Sequence, residues 1–244
     1  VIAAGEIYPY ASTGYLQLNS QSGKTVRLFY DKNGAVSYLY LAGGTSSSSQ
    51  AVVAVSSSAS SLARSLGITG SGYQITKNGV STDESAIAAN DVAYYDAASG
   101  TLRVSDYRVT GYIEAASPSV GAATSITVAG HTFSVLETAW DTLSDFQLGS
   151  RVTLLLTDDN KVAAASSRLS SEMLGVLSAD GRSVTLTGSG VTLTASQMRY
   201  DASALGSLVM VSASLDMLSC SRLTTGSYGK LNLEARMLGS VSLA

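Results

Sequence analysis

The chain has 244 residues, of which 15 are basic and 18 acidic, giving a formal net charge of −3. Charged residues make up 14% against 45% hydrophobic ones, well below the roughly 25% charge of ordinary soluble domains. That balance excludes a disordered chain and a basic nucleic-acid-binding surface. The apolar runs, such as Val152 to Leu156 and Ala51 to Val55, are far shorter than the ~20 residues of a membrane-spanning helix. Small hydroxyl and β-branched residues fill the remainder and suit extended structure with an uncharged surface. The start, Val1-Ile2-Ala3-Ala4-Gly5, has neither a basic region nor a hydrophobic one and reads as a processed or trimmed end.

Residues 1–45 are rich in tyrosine and strand-like. Tyr15-Leu16-Gln17-Leu18 alternates, and a hairpin runs from Val26 to Tyr30 and from Val36 to Leu41 around Asp31-Lys32-Asn33-Gly34. Asn-Gly between alternating apolar runs is a strong hairpin signal, because the turn requires positive φ. Gly43-Gly44-Thr45-Ser46-Ser47-Ser48-Ser49 is the best linker candidate.

Residues 46–109 predict a mixed module. Ala51 to Val55 is a short buried strand, and Ser60 to Leu66 a brief helix stopped by Gly67. Tyr73 to Thr76 is a strand turning at Asn78-Gly79, and Ser81-Thr82-Asp83-Glu84 fits a capping box before one helical turn. A hairpin follows, Asp91 to Asp96 and Thr101 to Ser105 around Ala97 to Gly100.

Residues 110–170 predict a complete β-module. A strand from Val109 to Glu114 leads to a hairpin turning at Ala129-Gly130, and Trp140, Leu143 and Phe146 share one side of a helical turn. The closing hairpin, Gly149 to Val162, aligns without a gap on Gly23 to Val36. Residues 171–244 repeat the order more loosely, with a third hairpin copy from Gly206 to Ala213. These patterns predict an all-β chain of tandem small curved sheets or barrels, SH3- or OB-like, each with one or two short helical turns.

The segments Asp91-Val-Ala-Tyr-Tyr-Asp96, Thr101-Leu-Arg-Val-Ser-Asp106, Val109-Thr-Gly-Tyr-Ile-Glu114, Ile126-Thr-Val-Ala-Gly-His131-Thr-Phe133, Leu148-Gly-Ser-Arg-Val-Thr-Leu-Leu-Leu156 and Lys161-Val-Ala-Ala164 carry a family resemblance. Together they resemble the β-rich region of surface proteins of clostridial Gram-positive bacteria that also carry S-layer homology repeats. The resemblance covers about residues 70–165, and the rest only by module pattern. Its motifs are hairpin framework, and no S-layer homology repeat lies in this sequence. It implies an extracellular structural role and brings no catalytic residue with it.

Chemistry-bearing residues are few. His131 is the only histidine; it sits at a hairpin turn, and no Gly-x-Ser-x-Gly elbow accompanies it to form a hydrolytic triad. Cys220 is the only cysteine; it lies in an apolar strand pattern and is expected to be a buried small hydrophobe. Asp158, Asp159 and Asn160 cluster oxygen ligands that could hold calcium, although such residues also serve a tight turn directly. Glu114, Glu137, Asp141 and Asp145 are the carboxylates available for glycoside hydrolysis, with no sugar cleft suggested around them. Tyrosine is uneven, eleven of thirteen falling before residue 113. Tyr38, Tyr40, Tyr94 and Tyr95 are the candidates for a binding face, since tyrosine stacks on sugars and anchors interfaces.

The expected function is non-enzymatic: a structural module of a secreted bacterial surface protein that assembles with copies of itself into a surface layer or filament. It requires no cofactor and spans no membrane. The alternative is a module that binds cell-wall polysaccharide through the tyrosine-rich face.

Overall fold

The computed structural model describes residues 50–68, 72–169 and 173–223 in full, residues 33 and 35, and the backbone of 2–3, 6–7, 27–30, 36–40, 231–232 and 237–238. The linker expected at Gly43 to Ser49 and the side chains of Tyr38 and Tyr40 lie outside the described residues. The fold is all-β, built of curled sheets, one of them a half-barrel, with few and short helices.

Two strand pairs come first, β1 (Ile2–Ala3) with β2 (Glu6–Ile7), and β3 (Arg27–Tyr30) with β4 (Val36–Tyr40). After β5 (Val52–Val53), helix α1 (Ala59–Ser65) starts where the Ser58 hydroxyl accepts from the Ser61 amide at 3.2 Å. Gly67 ends it in the left-handed region, φ 70°. β6 (Gln74–Lys77) and β7 (Val80–Thr82) turn at Asn78-Gly79, followed by β8 (Val92–Asp96) and β9 (Thr101–Ser105). These five strands form one sheet in the order β5-β8-β9-β6-β7, with β6 parallel to β9.

The capping box expected at Ser81 is corrected here. Ser81 is held extended opposite Thr76 in the β6–β7 ladder, so it cannot cap. Asp83 caps the 3-10 turn Glu84–Ala86 instead, accepting from the Ser85 amide at 2.8 Å. Glu84 reaches the first amide of α1, at Ala59, at 2.9 Å.

The second sheet contains β10 (Arg108–Ser117), β11 (Ser125–Val128), β12 (His131–Ser134), β13 (Arg151–Leu156) and β14 (Val162–Ser166), with α2 (Trp140–Leu143) between β12 and β13. The third contains β15 (Met173–Leu177), β16 (Val184–Leu186), β17 (Thr192–Leu193), β18 (Gln197–Tyr200), β19 (Leu208–Ala213) and β20 (Met217–Arg222). A short pair, β21 (Leu231–Asn232) with β22 (Met237–Leu238), follows. The strand orders are β12-β11-β10-β13-β14 and β17-β16-β15-β19-β20-β18. They are the same topology, to which the third sheet adds β18, parallel to β20.

The sequence repeat holds at the level of register. In β13–β14, Leu154 faces Ala165 and Leu156 faces Val162, with a shift after Leu155. In β3–β4, Leu28 faces Leu39 and Tyr30 faces Val36, with the shift after Phe29 at the same step. Entry to the closing hairpin also recurs. Gly149 donates to Ile113 O at 2.8 Å and Ser150 O accepts from Ile113 at 3.0 Å; Gly206 and Ser207 do the same with Leu177 at 2.9 and 3.1 Å. Opposite Val152 and Val209 stand Gly111 and Gly175, where an added Cβ would lie 2.6 Å from Val128 Cγ1 and 2.5 Å from Val184 Cγ1.

The inner faces of the second and third sheets share one core. Val109, Ile126, Phe133, Leu154 and Leu156 pack with Leu177, Val184, Leu193, Val209 and Leu218. Burying each such side chain contributes about 1.5–3 kcal/mol. Cys220 is buried in this core, and burial raises its thiol pKa, as expected for an inert small hydrophobe.

Candidate functional site

The turn between β13 and β14 is the point where the three sheets meet. Asn160 sits in the left-handed region, φ 62°, which Asn tolerates because its short side chain bonds locally. Thr157 ties the turn by its amide to Lys161 O at 2.9 Å, and its hydroxyl accepts from the Lys161 amide at 3.0 Å. The Thr157 hydroxyl donates to Asp159 Oδ1. Burial would raise the Asp159 carboxyl, but Lys161 Nζ, 2.8 Å away, and the Thr157 hydroxyl hold it below the ordinary carboxylate range.

Asp158 points back to the first sheet. Its Oδ1 accepts from the Tyr94 hydroxyl at 2.7 Å, and its Oδ2 from Arg103 Nη1 at 3.1 Å. Arg103 Nε also lies 3.4 Å from Asp96 Oδ2. Burial, then donation to Asp158, push the Tyr94 hydroxyl well above its usual pKa. Around this polar contact Ala51, Val92 and Tyr94 pack on Leu136, Leu155, Ala163 and Ala164. Asn160 faces the other way and donates from Nδ2 to Ser189 O at 2.9 Å, in the third sheet.

The candidate calcium residues are engaged within the protein: Asp158 and Asn160 hold modules together, and Asp159 ties its own turn. Asp158 serves Tyr94 and Arg103, Asp159 serves Thr157 and Lys161, and Asn160 serves Ser189. Among the described residues, no three His, Cys, Asp or Glu side chains gather as a metal-binding group. Tyr94 is 5% exposed, so its ring is part of this joint and offers no open stacking surface. Tyr95, its neighbour on the opposite face of β8, is half-buried. Sequence reasoning singled out Tyr94 and Asp158 for different purposes, and nothing in the local pattern joins two residues 64 positions apart.

His131 is the first residue of β12, half-buried, with its ring centroid 4.5 Å from that of Phe133. Its Nδ1 lies 3.1 Å from Thr192 O, across to the third sheet, and nearby Thr194 donates to Ala129 O at 2.9 Å. Glu114 accepts from the Gly130 amide at 3.0 Å, while Glu137, Asp141 and Asp145 are exposed around α2. The structure brings no pair of these carboxylates together with His131. No helix among the described residues is long and apolar enough to cross a membrane. No protein-family model, curated protein or solved structure matches the chain.

Proposed function

We propose that this chain is a non-enzymatic structural module of a secreted bacterial cell-surface protein and that it assembles with copies of itself into a layer or filament. The observation that carries this reading is the outward face of the third sheet. In the second sheet the matching face is occupied: Thr110 and Thr153 are buried with their hydroxyls 2.9 Å apart, and Leu155 and Ala164 pack under Val92 and Tyr94. In the third sheet Leu174 opposite Met210 takes the place of Thr110 opposite Thr153, and beside this pair Val176 stands opposite Leu208. All four are apolar and partly exposed, Val176 at 43%, and Leu205, three residues before Leu208, is 37% exposed. Leu148, which precedes Gly149 as Leu205 precedes Gly206, is 63% exposed. Apolar faces of this kind mark protein–protein contacts. The sparse charge lowers the electrostatic cost of bringing like copies together.

The surface location rests on the resemblance over residues 70–165 and on a composition without a cystine framework. Light scattering and electron microscopy of the purified chain test the assembly. Layers, tubes or filaments are expected, and their loss in the Val176→Lys, Met210→Lys double variant would place the contact on this face. A strictly monodisperse parent at high concentration would overturn the reading.

A further inference from the structure

Beside the first sheet three ionisable groups gather that the joint does not use, two of them buried. Lys77 ends β6, and the parallel pairing of β6 with β9 sets it opposite Val104, two residues before Asp106. Asp91 lies just before β8. Lys77 Nζ is 2.9 Å from Asp91 Oδ2 and 3.4 Å from Asp106 Oδ2, with side chains only 10%, 1% and 28% exposed. Its remaining contact is Ala86 O at 2.9 Å. Ala54, Ile87 and Val104 form the apolar surroundings.

The three groups are fixed from outside as well. Asp91 Oδ2 accepts from the Ala88 amide at 2.8 Å. Asn78 grips Asp106 twice, donating from Nδ2 to Oδ1 at 2.8 Å and accepting the Asp106 amide at 3.2 Å. Asp91 Oδ1 is buried with no hydrogen-bond partner, a costly position for an ionised oxygen. Burial accordingly lifts the Asp91 carboxyl above its ordinary range, against the opposing pull of Lys77. A carboxyl pushed toward its neutral form beside an amine is electrophilic at Cγ. Fixing the two at contact distance supplies the proximity that amide condensation lacks in water.

We propose that Lys77 and Asp91 join in an intramolecular isopeptide bond, with Asp106 as the proton relay. Asp106 takes a proton from the Lys77 ammonium and passes it to the Asp91 carboxylate, and the freed Nζ lone pair attacks Asp91 Cγ. In the tetrahedral intermediate a second Nζ proton passes through the carboxylates to the departing oxygen. The C–N bond forms, one C–O bond breaks, and one water leaves. An ammonium and a carboxylate thus become an amide and water, with no oxidant, reductant or co-reactant and with Asp106 returned to its starting state. The product replaces a buried ion pair by a neutral amide whose N–H remains beside Ala86 O.

Intact-mass measurement of the purified full chain tests this directly. The expected mass is lower than the residue sum by one water molecule. Cleavage after Glu84, which parts the stretches carrying Lys77 and Asp91, should then leave them linked as one branched fragment. The Asp106→Ala variant keeps both reacting groups and is expected to show the full residue sum and two separate fragments. A parent chain at full mass would overturn the proposal and leave the three groups as an ion-pair cluster. A water loss without the branched fragment would also overturn it, because cyclisation at a surface aspartate gives the same mass. Undiminished linkage in Asp106→Ala would sink the relay.

Discussion

Tyr94 and Asp158 come from different sheets, and their 2.7 Å hydrogen bond is the polar centre of an otherwise apolar joint. Removing either partner has unequal consequences. Tyr94→Phe keeps the ring packing and leaves Asp158 with Arg103, for an expected loss of about 1 kcal/mol. Asp158→Ala strands the buried Tyr94 hydroxyl and leaves Arg103 only its contact with Asp96, for an expected loss of roughly 2 kcal/mol. Urea unfolding of the two variants checks the order.

The same pair predicts the alkaline limb of stability. Burial and the bond to Asp158 raise the Tyr94 hydroxyl above its ordinary value of 10.0, so the folded chain keeps a proton that the unfolded chain releases. Its contribution is therefore complete below pH 10.0 and is lost as pH rises toward the folded value. Tyr94→Phe should flatten the fall in unfolding free energy above that pH by one proton's worth of slope. An unchanged slope would remove Tyr94 from the linkage.

Asp96 acts on the acid side. Burial works to raise its carboxyl, but hydrogen bonds from Ser99 and Ala98 outweigh it and hold the group below 3.8, aided by Arg103. The unfolded chain takes up the proton first, so this stabilisation is present above 3.8 and disappears as pH falls through the folded value. Asp96→Asn is expected to be less stable than the parent at pH 6 and to approach it at about pH 2. Circular dichroism across that range distinguishes this from a pH-independent loss.

Gly111 and Gly175 should behave as a pair. An added methyl at Gly175 lies 2.9 Å from Thr185 O as well as 2.5 Å from Val184 Cγ1, whereas at Gly111 the close contact is the Val128 side chain alone, at 2.6 Å. Backbone cannot give way as a side chain does, so Gly175→Ala should be the more damaging. Overpacking of this sort costs about 1–3 kcal/mol, and thermal unfolding of both variants measures the difference.

Much of the fold is legible in the sequence because hairpins are local. Asn78-Gly79, Ala129-Gly130 and Asp159-Asn160 each mark a turn that the structure contains, since positive φ is demanded by the turn itself. The gapless match of Gly23 to Val36 with Gly149 to Val162 extends to the same register and the same shift. The parallel pairings are not legible. β6 meets β9, and β18 meets β20, across intervening strands of the chain, and Gln197-Met198-Arg199-Tyr200 is too short a run to announce itself. The candidate site was half visible: Asp158 and Tyr94 stood out by residue type, but what joins them is the stacking of two sheets. Ser81 is a strand residue and not a cap because pairing with Thr76 outweighs a local capping pattern.

The core shared by the second and third sheets makes each the cover of the other. Val109, Ile126, Phe133 and Leu154 of one sheet are covered by Leu177, Val184, Leu193 and Val209 of the other. A chain carrying a single such sheet would have its inner face bare to water and would have to meet a twin to fold. The two sheets thus cover one another as the halves of a dimer would, while their outer faces carry different contents. The face at Thr110 and Thr153 takes a neighbour from within the chain, while that at Leu174 and Met210 is apolar and partly exposed.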